Sequence, residues 1–357
     1  MKFLLFVFAF VVTGLAQASV ADRQAVNIAV AEQQIVPSYR RFRDRSAAFA
    51  DTVHQACADP AKADVDAVRK AYPALLDAWM GAEIWRFGPV DYRLRRNRIW
   101  YWPDKHGRAG KHVRRLLGKA DLAALKAERF AAASVALQGL PALERVAFVK
   151  DAAGKIAAEP FRCAYLNAVA GNVAAIGREL ARDWDESLAL IRGSDRGNEE
   201  YEDGPPQVTA LLLQSLYTGL SSIESLKLGL PLGKGPNKAR GKRGESWRLN
   251  RGLDNIRVNL DALERLYGIS GDIGLGTLLA ETGKDQALDA KIRAGFALIR
   301  KRMDSIRTPL HQAVAEPRMR PSVEALRKSV KDLAELIGKE FPGAIGTPLG
   351  FNSLDGD

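Results

Sequence analysis

The sequence predicts an all-α protein made of two tandem helical-bundle domains related by a weak internal repeat. Three observations carry that expectation. Apolar residues recur at helical spacing over long blocks, while strand-like alternation is nearly absent. Of 357 residues 47% are hydrophobic, 8% aromatic and 27% charged, and the many alanines and leucines suit a core built from helices. The stretch Gln138-Gly139-Leu140-Pro141-Ala142-Leu143-Glu144 is echoed 80 residues later by Thr218-Gly219-Leu220-Ser221-Ser222-Ile223-Glu224, with a glycine and a carboxylate five residues on in each copy.

The first element is an address. Met1-Lys2, the apolar run Phe3 to Leu15 and Ala16-Gln17-Ala18 have the charged start, short hydrophobic core and small-x-small cleavage site of a secretory signal. The run falls short of the roughly 20 residues that span a bilayer. With cleavage near Ala18 and no cysteine there to carry a lipid, the mature chain is expected in the periplasm, without a transmembrane helix.

Helices are expected at 21–57, 62–86, 121–149, 160–191, 206–227, 246–267, 285–304 and 322–339. Asp59-Pro60 and Glu159-Pro160 mark boundaries, because proline disfavours helix in the residue before it and fits the first turn. Gly204-Pro205-Pro206 separates two blocks, and Leu228 to Gly244, rich in Gly, Pro, Lys and Arg, reads as a long loop. After the signal at 1–18, the halves are an N-terminal bundle over 19–200 and a C-terminal bundle over 201–357, with the two Gly-to-Glu helices in equivalent places. The cleft between bundles is the natural ligand site. Cys57 and Cys163 can pair in an oxidising compartment, tying the first helix to the one after Pro160; two buried free thiols are the alternative.

The formal net charge is +11, concentrated in Arg93 to Arg115 and in Lys234 to Arg251. Such clusters attract anions. Nucleic acid is a poor partner for an exported protein, which leaves lipid or lipopolysaccharide phosphates at the anionic envelope surface or polyanionic wall components, against plain solvated faces. Trp79, Glu83 and Arg86 share one face of the second helix, as a pocket wall or a surface pair.

Several stretches together resemble the imelysin-like family of bacterial envelope proteins: Arg86-Phe-Gly-Pro89, Trp100-Tyr-Trp-Pro-Asp104, Gln138 to Glu144, Glu179-Leu-Ala-Arg-Asp-Trp184, Ser246-Trp-Arg248 and Leu349 to Asp357. The resemblance implies two all-helical bundle-like domains, association with iron uptake, and an older assignment as a metallopeptidase. It also raises an iron or other divalent metal ion as cofactor. The family signature is Gly-x-His-x-x-Glu. Here Gly139 and Glu144 match, but Pro141 stands at the histidine position. A histidine and glutamate three apart on a helix can hold a transition metal, and proline supplies no donor. Glu144 is then at most one ligand, and the metal role does not transfer.

Other chemistry finds little support. No His-Glu-x-x-His, Cys-x-x-Cys or Glu-x-x-His occurs, the four histidines His54, His106, His112 and His311 are scattered, and no Gly-x-Ser-x-Gly elbow is present. The Gly241-Lys242 pair misses phosphate-loop spacing. The expectation is a non-enzymatic binding protein associated with iron uptake, taking a small ligand or iron species between its domains. Glu144 and Glu224 are the lead site residues, with Glu83, Arg86, Arg98, Asp104 and Arg248 behind them. The alternatives are a metal-dependent peptidase and a scaffold that docks an envelope protein or anionic partner through its basic faces, the loop 233–244 included.

Overall fold

Helix-forming blocks and their punctuation organise the chain much as the periodicity requires. A computed structural model describes residues 19–104, 106–279 and 283–349. The export signal at 1–18 and the end motif from residue 350 onward lie outside the described residues. All regular structure among them is helical, with no strand. None of the described helices is long and apolar enough to cross a membrane.

Helix α1 (Val20–Val30) opens with a capping box: Ser19 accepts from the Asp22 amide and Asp22 reaches back to Ser19. It runs through a π segment, Ala31–Ile35, into α2 (Val36–Ala56), so the expected 21–57 helix is one continuous rod with a widened turn. Next come α3 (Val65–Ala82), then the short α4 (Arg95–Ile99) and α5 (Arg108–Lys119). The helix expected over 121–149 is broken into α6 (Ala127–Ala131) and α7 (Leu140–Ala147), joined by turns. The break has a cause: Gly139 has φ +77°, and a Cβ there would lie 2.5 Å from Arg98 O and closer still to Ile99 O. The chain folds back so tightly that only glycine fits.

Helix α8 (Ala152–Ala158) precedes α9 (Phe161–Arg192), which packs most extensively on α2. At that crossing a Cβ on Gly177 would meet Ser46 Oγ at 2.6 Å. Helix α10 (Pro205–Ser222) continues through a second π segment, Ile223–Leu228, into α11 (Gly229–Leu232). The loop expected from Leu228 therefore begins later and carries short 3₁₀ turns. Helix α12 (Gly252–Tyr267) starts six residues after the expected 246, because Ser246 and Asn250 take left-handed conformations around a 3₁₀ turn. Helices α13 (Gly283–Asp304), α14 (Leu310–Ala313), α15 (Arg320–Lys339) and α16 (Phe341–Ala344) complete the chain.

Two helix groups result, α2/α3/α9 and α10/α13/α15, with α12 packed on both α3 and α10 and with α1 packed on α10. One continuous apolar cluster runs through both, including Phe42, Trp79, Trp184, Leu216 and Phe296. Tyr39 stacks on Trp184 and Phe42 meets Trp79, each large side chain contributing roughly 1.5–3 kcal/mol by burial. Cys57 and Cys163 are joined in a disulfide that ties the end of α2 to the start of α9.

Candidate functional site

The Gly139 turn aims α7 at a cleft. Leu140 and Pro141 begin the helix, Pro141 in its first turn, where a missing N–H costs nothing. One helical turn on, Glu144 is buried, 4% exposed, with its carboxylate at the cleft. The cleft measures about 160 Å³ and is walled by α7, the 100–104 segment and the 242–248 segment. Its lining includes Trp100, Tyr101, Trp102, Asp104, Pro141, Glu144, Arg145, Lys242, Arg243, Ser246, Trp247 and Arg248.

Glu144 Oε1 accepts from Tyr72 Oη at 3.1 Å and from Ser246 Oγ at 2.9 Å. Burial pushes its carboxyl up to about 7; those two hydrogen bonds and Arg248 pull the other way, and Glu245 adds to the rise. Asp104 is already engaged: it accepts from the Arg108 and Ala109 amides at the start of α5, at 2.8 and 3.0 Å, and pairs with Arg145 at 3.4 Å. Arg248 lies over the Trp247 ring, 4.5 Å from its centroid, and Lys242 stands 5.6 Å from the same ring. Burial, then the like charge of Arg145, lowers the Arg248 guanidinium from its ordinary range, with Glu144 opposing.

Behind the cleft a buried polar chain leads inward. Ser246 accepts from Asn255 at 3.4 Å, and Asn255 also donates to Glu245 Oε2 at 3.0 Å. Trp100 Nε1 donates to Glu245 Oε1 at 3.0 Å. Lys227, turned inward by the second π segment, bridges Glu245 at 2.9 Å and Glu83, and Asn259 donates to Glu83 at 2.9 Å. Lys227 sits above its ordinary range: burial pushes it down, but Glu245 and Glu83 outweigh that. Glu245 is also raised, since burial exceeds what Lys227 returns.

The structure thus gathers Glu144, Asp104 and Arg248 at one cleft, with Gly139 and Pro141 shaping its wall, and links Glu83 to Glu144 through side chains that sequence reasoning missed. Glu83 and Arg86 do not form a surface pair. Arg86 is half-buried, donates to Ser222 Oγ at 3.0 Å and is pushed down to about 10 chiefly by desolvation. Arg98 clamps the turn, donating to Gln138 Oε1 at 3.0 Å and Asn172 Oδ1 at 3.1 Å. Glu224 lies in a separate hollow with Lys234 and pairs with Arg327 at 2.7 Å. The two copies of the Gly-to-Glu spacing therefore fold differently: Gly139 caps a helix, whereas Gly219 sits inside α10, against Leu263. Tyr72, Lys227, Glu245 and Asn255 carried no motif. The one available signal was Glu245 itself, a lone acid closing a basic run.

The donor set does not fit a metal ion. Pro141 offers no ligand, Asp104 is spent on amides and Arg145, and Arg145, Lys242, Arg243 and Arg248 repel a cation. No three His, Cys, Asp or Glu side chains converge among the described residues.

Comparison with solved structures identifies the architecture. An imelysin-like protein from Psychrobacter arcticum 273-4 superposes with TM-score 0.76 at 21% identity, covering 94% of this chain and 100% of that one. A candidate iron-regulated protein A precursor from Parabacteroides distasonis ATCC 8503 gives TM-score 0.75 at 16% identity, covering 91% and 95%. A comparison with curated proteins gives no match. The sequence profile of Imelysin, peptidase M75, matches residues 35–337, and on that span the chain belongs to the imelysin family.

Proposed function

We propose that the protein is an exported, periplasmic binding protein that serves iron uptake without a covalent step, its ligand seated in the Glu144 cleft. The observation that carries this is the lining: four cationic and four aromatic side chains surround two carboxylates whose oxygens are largely engaged. Such a wall recognises and holds; it does not assemble a metal-activated water. The description of the Parabacteroides neighbour as iron-regulated supports the iron setting.

Tryptophan fluorescence of the purified mature chain reads the cleft directly, because Trp100, Trp102 and Trp247 line it. Ferric citrate, an anionic iron complex, is expected to change that emission saturably, and free divalent metal ions are not. Hydrolysis of a peptide or ester substrate by the wild type, lost in both Ser246→Ala and Glu144→Gln, would replace the binding reading with a hydrolytic one built on the Ser246–Glu144 hydrogen bond.

A further inference from the structure

We infer that the cleft is a receptor for a small oxyanion, a carboxylate or phosphate on a body about the size of a benzene ring, with Lys242, Arg243 and Arg248 as its charged contacts. The inference rests on the cleft reading above and names the ligand chemistry.

Among the described residues, no carboxylate forms an ion pair with any of these three cations. Two of them are nonetheless held in place, since Trp247 underlies both Lys242 and Arg248. An aromatic face orients a cation without neutralising it, so the full charge stays available to a ligand. Arg145 adds a fourth positive group with unused capacity. Its Nε is buried without a partner, and its ion-pair contact with Asp104 is a long 3.4 Å. An arriving oxyanion meets guanidinium groups suited to its geometry, and Arg248, half-buried beside Arg145, gains a counter-charge that the free protein withholds.

The opposing charges are contained. Asp104 is absorbed by two amides and Arg145, and Glu144 Oε1 by two hydroxyls. Size narrows the ligand further. A cleft of about 160 Å³ matches the ~150 Å³ known to hold a benzene ring, so a peptide backbone or a macrocycle is not enclosed. Trp102 and Tyr101 supply apolar wall for the body that carries the anion.

Fluorescence and calorimetric titrations of the mature chain with benzoate, citrate and inorganic phosphate, with neutral benzamide as size control, test this. Benzoate is expected to bind at least about tenfold more tightly than benzamide, and the order of benzoate, citrate and phosphate separates carboxylate from phosphate ligands. Combined Lys242→Ala and Arg248→Gln should weaken the preferred anion by about tenfold or more. Arg243→Ala, at an exposed side chain, should weaken it in the same direction with an unchanged urea midpoint. Lys234→Ala removes one charge from the same basic loop but outside the cleft, and should change affinity by less than about twofold. Equal binding of benzamide and benzoate, or a Lys234→Ala loss as large as the cleft variant's, overturns the oxyanion assignment. Ferric citrate bound undiminished by the Lys242→Ala/Arg248→Gln chain overturns it too, while leaving the binding-protein reading standing. Silence toward every probe, ferric citrate included, overturns both.

Discussion

Ser246 Oγ donates to Glu144 Oε1 at 2.9 Å across 102 residues of chain, joining the end of the basic loop to the motif helix at the cleft that both residues line. The bond sits on a carboxyl that burial has moved up to about 7 from 4.5. Between those values the folded chain holds a proton that the unfolded chain releases. Glu144 therefore supports the fold fully below pH 4.5, and that support is lost as pH rises through 7, by about 3 kcal/mol in total. Glu144→Gln keeps an oxygen for Tyr72 and Ser246 but has no proton to lose. Urea midpoints at pH 5 and pH 8 should therefore diverge less in the variant than in the wild type. Parallel pH slopes in the two proteins would remove Glu144 as their source.

The turn that delivers Glu144 depends on Gly139. At φ +77°, and with the Arg98 and Ile99 carbonyls against the missing Cβ, Gly139→Ala is expected to cost more than about 3 kcal/mol in thermal or urea unfolding. Gly171 makes the contrast. It is exposed inside α9 with open space around it, so Gly171→Ala should stabilise by about 0.5–1 kcal/mol. Similar effects of the two substitutions would refute the steric account.

Lys227 is the shared counter-charge of two buried carboxylates, Glu83 and Glu245. Lys227→Met strands both and is expected to destabilise by about 3–5 kcal/mol at pH 7.5. Adding Glu245→Gln should return part of that loss, since one uncompensated charge is then removed. A double variant no more stable than Lys227→Met alone would show that the lysine's packing, rather than its charge, is what matters.

The Cys57–Cys163 disulfide closes a span of 106 residues. Closing about 100 residues restricts the unfolded chain by about 4.7 kcal/mol in the chain-entropy picture. Cys57→Ala/Cys163→Ala should lower the urea midpoint accordingly, and reductant should shift the wild type toward the variant. A reductant-insensitive midpoint would count against a bond that closes in the protein as made.

Much of the fold was readable because helical periodicity and proline boundaries are local. The rod from 21 to 57 and the helices near 160–191, 285–304 and 322–339 emerge within a few residues of expectation. The failure at 121–149 is instructive. Alanine and leucine spacing suggested one helix, yet Gly139 followed by Leu140-Pro141 already spelled a helix start, and the carbonyls of α4 enforce it. Helix α5 was hidden inside a cluster read only for its charge.

The chain by itself determined the helical class, the family signature with Pro141 in place of histidine, and the cationic character of its two basic clusters, because these depend on residue type and near-neighbour spacing. Only the tertiary structure decided which charges matter. Glu144 and Glu224 share a spacing, but one meets two hydroxyls in a cleft and the other an arginine in a separate hollow. Partners for a buried carboxylate come from segments that lie far apart in sequence, and no local pattern encodes that the Gly139 turn brings α7 up to Ser246.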